Sequence, residues 1–228
     1  MPTYQFALLL TSAYLLGSIP TSYIAGRLIK GIDIRRYGSG SASSTNVWHS
    51  VSRKAMVAVV IADMLKGLIP VAIASHLLNF PVWAQGTLGL AAITGHSWSI
   101  FLGFSGGRGW ATMIGFLLIF GRWELLTLSI VGLSIFALIK NSPLSMFLAI
   151  VSMPIASLAL ASYGIVGFDR GLILLCICLL ILLKRILAER PVPRSELAKV
   201  LIYRLILDRD TRNRESWIYR KPNDLSQS

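Results

Sequence analysis

The sequence is poor in charge. Asp, Glu, Lys and Arg together make up 14% of its 228 residues, against about 25% in typical soluble chains. That scarcity excludes a disordered chain and a coiled coil. Cysteine is scarcer still. Cys176 and Cys178 are the two present, so a secreted disulfide scaffold is excluded. They lie two apart in an apolar run, too close for an ordinary disulfide on a helix. No Cys-x-x-Cys pair occurs, which leaves no signal for redox or metal chemistry. His49, His76 and His96 lack metal-ligand spacing; His49 reads as solvated and His76 as interfacial. Neither the Walker spacing nor Gly-x-Ser-x-Gly occurs. The N-terminus carries no early positive charge, since the first charged residue is Arg27. It therefore reads as a retained transmembrane helix and not as a secretory signal peptide.

What is abundant is apolar surface. Hydrophobic residues make up 54%, and the mean hydropathy is +0.67. The expected fold class is all-α: a polytopic integral membrane protein of about seven transmembrane helices, N-terminus outside and C-terminus cytoplasmic. The predicted spans are Tyr4 to Tyr23, Ala55 to Leu78, and Val82 to Phe101, with Asn79-Phe80-Pro81 as a turn. Arg122 and Glu124 split Trp110 to Ile139 into two short apolar runs. This stretch reads as a tight hairpin of two helices with its charges at the far surface. Leu144 to Tyr163 and Gly171 to Leu187 complete the set.

The charge balance supports that count. Lys plus Arg is 22 and Asp plus Glu is 10, a net charge of +12. In a soluble protein such an excess would suggest nucleic acid. Here the asymmetry follows topology, because cytoplasmic loops collect Lys and Arg, and no nucleic-acid partner is expected. With seven spans the inner side holds Arg27, Lys30, Arg35, Arg36, Arg53, Lys54, Arg108, Lys140, Lys184, Arg185 and the basic tail. The outer loops hold Arg122 and Arg170.

Residues 1–187 thus form a transmembrane domain and 188–228 a basic cytoplasmic tail. In the tail Ser195 is placed to cap a helix, with Leu197, Leu201 and Leu205 on one face. Such a helix suits anionic lipid headgroups. Arg212 to Lys221 reads as flexible. No internal repeat suggests an inverted-repeat transporter.

Three polar groupings share the inner side. The first runs from Tyr37 to Asn46 and is rich in glycine and hydroxyls, with Gly38, Ser39, Gly40 and Thr45 inside it. Glycine lets backbone N–H groups approach an anion, and hydroxyls add donors. An ordinary exposed linker has the same composition. The second is Gly106-Gly107-Arg108-Gly109, with Thr112 after it and His96 before it. It combines a backbone nest, a fixed charge and a helix start, all suited to phosphate; a plain glycine turn is the alternative. The third is Asp63 and Lys66, three apart on one helix face and more than a turn inside the bilayer. Ionisable groups there face a bundle interior or a polar cavity. They form either a structural pair or one wall of a substrate site.

Several separated motifs then agree. Gly17-Ser18-Ile19-Pro20, Gly31-Ile32-Asp33-Ile34-Arg35, Gly38-Ser39-Gly40, Thr45-Asn46-Val47, Asp63-Met64-Leu65-Lys66-Gly67, Gly95-His96 and Gly106-Gly107-Arg108-Gly109 occur in order. Together they resemble the bacterial acyl-phosphate:glycerol-3-phosphate acyltransferases of the PlsY type. The resemblance covers most of the first 115 residues, and Lys184-Arg185-Ile186-Leu187 faintly echoes the family's third motif. It implies an enzyme of the bacterial inner membrane, multi-pass, with its site at the cytoplasmic face. The implied reaction moves a fatty acyl group from acyl-phosphate to glycerol 3-phosphate, giving lysophosphatidic acid and phosphate without cofactor or metal. A soluble acyl-phosphate-producing enzyme of the PlsX type is an implied partner, beside anionic lipids.

By this resemblance Ser39, His96 and Asn46 are the catalytic candidates. Gly38, Gly40, Thr45, Lys54, Asp63, Lys66, Gly106, Gly107, Arg108, Gly109 and Thr112 are the substrate-binding candidates. The chain departs from the family pattern at Ser41, Ser43, Ser44, His49, Ser99, Ser105 and Arg108, and it carries no histidine after His96. A non-catalytic paralogue that binds phosphorylated lipid precursors, or a small organic-phosphate transporter, are the rival readings.

Overall fold

A computed structural model describes residues 3–188, 192 and 194–221. The predicted tail, 188–228, therefore falls partly outside the described residues. Among those described, regular structure is helical throughout, apart from an isolated antiparallel bridge between Ser99 and Ser105. Large apolar side chains such as Leu8, Ile130, Leu133 and Ile155 face outward, as lipid contact requires.

The first predicted span divides into α1 (Thr3–Ser18) and α2 (Thr21–Lys30). The break sits at Ile19-Pro20, because proline has no amide hydrogen and its ring clashes with the preceding turn. The helix resumes at once, Ile24 N donating to Pro20 O at 2.9 Å. Gly31 ends α2 in the left-handed region, φ 67°, where a missing Cβ removes the steric penalty. After a 3₁₀ turn at Ile34–Arg36 comes α3 (Ser44–Ser50), capped by Ser43. α4 (Arg53–Ala72) is capped by Ser52, whose hydroxyl accepts from the Lys54 and Ala55 amides, and it continues as a widened turn to Leu77.

α5 (Val82–Ser97) stops short of the predicted Phe101, because the chain turns at Trp98 into a 3₁₀ turn over Ile100–Leu102. α6 (Trp110–Phe120) and α7 (Arg122–Ile139) form the hairpin, joined at Gly121. Arg122 is exposed as expected, but Glu124 is not at a surface. It is fully buried, accepts from the Ser157 hydroxyl at 2.9 Å, and has Arg170 at 3.9 Å. A carboxylate at that depth finds its partners inside the bundle. α8 (Ser142–Ser162) and α9 (Phe168–Ile186) follow. Among the described residues, four helical stretches, 3–30, 53–77, 122–139 and 142–162, are long and apolar enough to cross a bilayer.

Glycines bring the helices close. A Cβ on Gly67 of α4 would strike the Thr112 carbonyl of α6, and one on Gly115 of α6 would strike the Met64 carbonyl of α4. This reciprocal fit is the small-residue packing of helices in lipid, where no water drives association. The main core, including Ile93, Met113, Phe116, Met153, Ile177 and Ile181, lies among α5, α6, α8 and α9.

The C-terminal segment is ordered further than its composition suggests. α10 (Leu197–Leu207) packs on α8 and α9. It buries Val200 and Arg204 and leaves Leu197 and Ile202 exposed. Ser195 lies within a 3₁₀ turn, Arg194–Glu196, and does not cap the helix. The stretch predicted as flexible contains α11 (Arg214–Ile218), capped by Asn213. Arg204 explains the docking: it donates to Ile186 O at 3.2 Å and to Asp210 at 2.7 Å.

The Gly67 contact yields a test. Gly67→Ala drives a methyl group into backbone and is expected to destabilise the protein by about 1–3 kcal/mol. Gly132→Ala meets only Ala149 Cβ at 3.4 Å and serves as the control. Thermal unfolding in detergent should separate the two, and equal midpoints would refute the close-packing account.

Candidate active site

The first polar loop is built from within. Asn46 is buried at 3% exposure, and its amide donates to the carbonyls of Ile34, Tyr37 and Ser41, each at 3.0 Å. Its own oxygen accepts from Ser50 at 3.2 Å. Asn46 thus holds the loop's shape. Ser39, Ser41 and Ser43 form a string of hydroxyls, 2.8 and 3.1 Å apart. Asp33 pins Arg35 through paired contacts of 3.0 and 2.8 Å. The hydrogen bond from the Arg35 side chain holds the Asp33 carboxyl below the usual carboxylate range.

The glycine loop meets this first loop directly. Ala42 N donates to Gly106 O at 3.3 Å, and Gly107 N donates to His96 O at 3.0 Å. Gly107 has to be glycine here, because a Cβ would collide with His96 Nε2 and lie 2.9 Å from the Ala42 carbonyl. Gly109, at φ 78°, then turns the chain into α6.

Beside the junction lies a buried charge cluster. Asp63 and Lys66 of α4 are 1% and 4% exposed. Lys66 Nζ donates to Asp63 Oδ1 at 2.5 Å, to Ile19 O at 2.6 Å and to Thr21 Oγ1 at 3.1 Å. The carbonyl released at the α1–α2 break is therefore a ligand of the lysine. Thr21 also donates to Asp63 Oδ1, at 2.6 Å. His96 Nδ1 lies 3.5 Å from the same oxygen, which leaves Nε2 facing Gly107. A buried carboxylate satisfied by three groups is stable only while they remain, since loss of one partner leaves an uncompensated charge. Thr21, Ala42, Lys66, His96, Ser99 and Gly107 line a narrow cavity of about 10 Å³, roughly room for one water.

The C-terminal segment closes the arrangement. Arg108 is ion-paired with Asp208, and Arg185 Nε lies 3.9 Å from the same Asp208 oxygen. Gly38 N donates to Arg220 O at 3.0 Å. Tyr219 stands edge-on to His49, which is stacked on Trp48 and so is not simply solvated.

The structure thus brings together Asp63, Lys66, His96, Gly106 and Gly107, with the first loop joined to them through Ala42. Arg108 and Gly109 continue the glycine loop. Gly38 and Gly40 are buried in the first loop, and Ser39 is half-buried there. Thr45 and Lys54 are exposed at the starts of α3 and α4 and do not line the cavity. Thr112 is fully buried at the α4–α6 contact. Sequence reasoning missed Thr21, Arg185 and Asp208 as site neighbours. Pro20 was the available signal for Thr21, since it implies a helix break. Nothing in the sequence set Asp208 apart from the other acidic residues of the tail, such as Glu196, Asp210 and Glu215. Among the described residues no group of three or more His, Cys, Asp or Glu could hold a metal ion.

Comparison with known proteins addresses the family and the fold. The family described as "Glycerol-3-phosphate acyltransferase" matches residues 7–188. The chain is 34% identical over 226 residues to glycerol-3-phosphate acyltransferase 4 of Dehalococcoides mccartyi, covering 94% of each chain. It is 44% identical over 132 residues to the glycerol-3-phosphate acyltransferase of Geotalea daltonii, covering 58% of this chain and 66% of that one. Among solved structures it is similar to PlsY (YgiH), an integral membrane glycerol 3-phosphate acyltransferase. To the glycerol 3-phosphate form the TM-score is 0.71 at 31% identity, over 88% of this chain and 94% of that one. To the lysophosphatidic acid form the TM-score is 0.70 at the same identity, over 88% and 93%. A family match across most of the sequence and a shared fold at this identity lead to one conclusion: the chain belongs to the PlsY-type glycerol-3-phosphate acyltransferases and is a multi-pass membrane acyltransferase.

Proposed function

We propose that the chain transfers a fatty acyl group from acyl-phosphate to the 1-hydroxyl of glycerol 3-phosphate. The products are lysophosphatidic acid and inorganic phosphate. The observation that carries this reading is the meeting of the two anion-suited loops, Ala42 N on Gly106 O, beside the Asp63–Lys66–His96 cluster. Both substrates bring phosphate, and this junction gathers backbone amides, serine hydroxyls and a guanidinium in one place.

In the proposed reaction the acyl carbon–oxygen bond to phosphate breaks as a bond forms from the glycerol hydroxyl. Acyl-phosphate is already activated, so positioning and charge stabilisation suffice without a covalent nucleophile. Arg108 and the Gly106–Gly109 backbone stabilise phosphate oxygens, with Ser39 adding a donor. His96, oriented by Asp63, accepts the hydroxyl proton through Nε2 and passes it to the departing phosphate. Lys66 holds Asp63 charged and in place. Asn46 acts through the loop it scaffolds, Gly38 and Gly40 shape the backbone of that loop, and Thr112 seats α6 against α4. Thr45 and Lys54 meet glycerol 3-phosphate at the exposed entrance. The acyl chain lies in an open groove of about 410 Å³ between α1 and α5, lined by Leu10, Tyr14, Leu90 and Ala91.

The same reading sets the site at the cytoplasmic face of the bacterial inner membrane, with seven spans and the N-terminus outside. The exposed Leu197 and Ile202 of α10, flanked by Lys199, would rest on anionic lipid. A soluble acyl-phosphate-producing enzyme would deliver the donor at that face.

Purified full-length protein incubated with a fatty acyl-phosphate and labelled glycerol 3-phosphate should release labelled lysophosphatidic acid and phosphate. Uptake into proteoliposomes without acyl transfer would overturn the reading in favour of transport. Arg108→Ala should lower kcat/KM by about 2–4 kcal/mol, as expected for a lost buried charged contact; an unchanged value would remove Arg108 from the site. Gly107→Ala should displace the His96 ring and cut kcat by at least about tenfold. Accessibility labelling should find Thr45→Cys and Lys199→Cys on one side of the membrane and Arg170→Cys on the other.

A further inference from the structure

The family match ends at residue 188, yet the chain returns to the site beyond it. A single oxygen of Asp208 is shared by two guanidinium groups: Arg108 is ion-paired with it, and Arg185 Nε stands at 3.9 Å. Arg185 is fully buried, and its other partners are uncharged: Leu205 O at 3.0 Å, Pro143 O at 3.5 Å and the face of the Trp110 ring at 5.8 Å. One oxyanion held between two arginines is the arrangement that receives phosphate. The same C-terminal segment also covers a second anion-suited donor, since the Gly38 amide donates to the Arg220 carbonyl. Two donors of the two loops are thus engaged by oxygens from one stretch of chain.

Asp208 itself is suited to leave. Its side chain is 24% exposed, while its backbone caps α10 in the left-handed region, φ 55°, its amide donating to Arg204 O at 3.1 Å, a conformation Asp tolerates better than most residues, so that rotation of the side chain alone frees the carboxylate. The segment is anchored on its helical side by Arg204, which is 5% exposed and bonded to Ile186 O. A carboxylate and a phosphate cannot share the seat, because like charges a few ångströms apart repel strongly where water is scarce.

We propose that Asp208 is a built-in occupant of a phosphate seat formed by Arg108 and Arg185. The phosphate group of the substrate binds by displacing it. Arg185 is then a substrate-binding residue, and Asp208 sets the selectivity of the seat. It yields to a dianion held by both arginines and resists weaker anions. The identity of the substrate rests on the acyltransferase reading above; the seat and its occupant do not.

The test uses the full chain in detergent with inorganic phosphate as the probe, at constant ionic strength. Asp208→Asn removes the competing charge and should tighten phosphate binding by at least about fivefold, since self-occupancy lowers apparent affinity by the fraction of seats left open. The KM for glycerol 3-phosphate should fall in parallel, and Asp208→Glu should restore the parent values. In the Asp208→Asn background, Arg185→Gln should reverse the gain. In the unaltered protein, phosphate but not chloride should speed hydrogen exchange at the 205–220 amides. That arm decides the matter even if Asp208→Asn does not fold. Slower exchange there, or a fall in kcat with phosphate affinity and KM unmoved, would overturn the proposal and make Asp208 a structural clamp. Phosphate competition found without any acyl transfer would sink the acyltransferase reading and leave this one standing.

Discussion

The carboxylate of Asp63 organises the site from the inside. A charge this deeply buried persists only if its partners stay, and they come from three separate parts of the chain: Thr21 after the α1–α2 break, Lys66 one turn along α4, and His96 at the end of α5. Each partner fixes an element. Lys66 reaches the Ile19 carbonyl and so ties α4 to the place where Pro20 interrupts the first span. His96 presents its carbonyl to Gly107 and its ring edge to the same residue. A network of this kind demands that all its members be satisfied together, so the cluster sets the relative positions of α2, α4, α5 and the glycine loop.

Glycine supplies the other half of the constraint. In lipid, helices gain nothing from hiding apolar surface from water, so association depends on close backbone approach. Gly67 against Thr112 and Gly115 against Met64 bring α4 and α6 within that range. α6 begins at Gly109, so this packing also delivers the Gly106–Gly109 turn to the cluster. Gly107 then allows the turn to press on His96 and the first loop at once. The junction of the loops and the packing of the helices both depend on side chains that are missing.

Much of this was legible in the sequence, and the reasons differ by residue. Asp63 and Lys66 declared themselves because charge inside an apolar run is costly and therefore has a use. The glycine loop declared itself by composition. Asn46 was legible as important but not in its manner of acting: its three donor contacts to loop carbonyls depend on how the chain folds back between Ile34 and Ser41. Thr45 and Lys54 stand exposed at the starts of α3 and α4, outside the narrow cavity, a placement that composition does not report. Glu124 was misplaced to a surface because its partners Ser157 and Arg170 lie 33 and 46 residues away in sequence. Hydropathy reports only local cost.

Solvent and architecture class are written in the order of the residues. Long apolar runs and a scarcity of charge call for helices in a bilayer, since a helix satisfies its own backbone there. The order of the residues also determined the local devices: the Pro20 break, the Ser52 cap and the Gly31 and Gly109 turns. Tertiary structure alone decided which polar groups meet. Ala42 on Gly106, His96 under Gly107 and Asp208 on Arg108 are contacts between distant residues. Hydrogen bonds and ion pairs act over a few ångströms of space, and sequence spacing carries no information about that distance once the chain has turned back on itself.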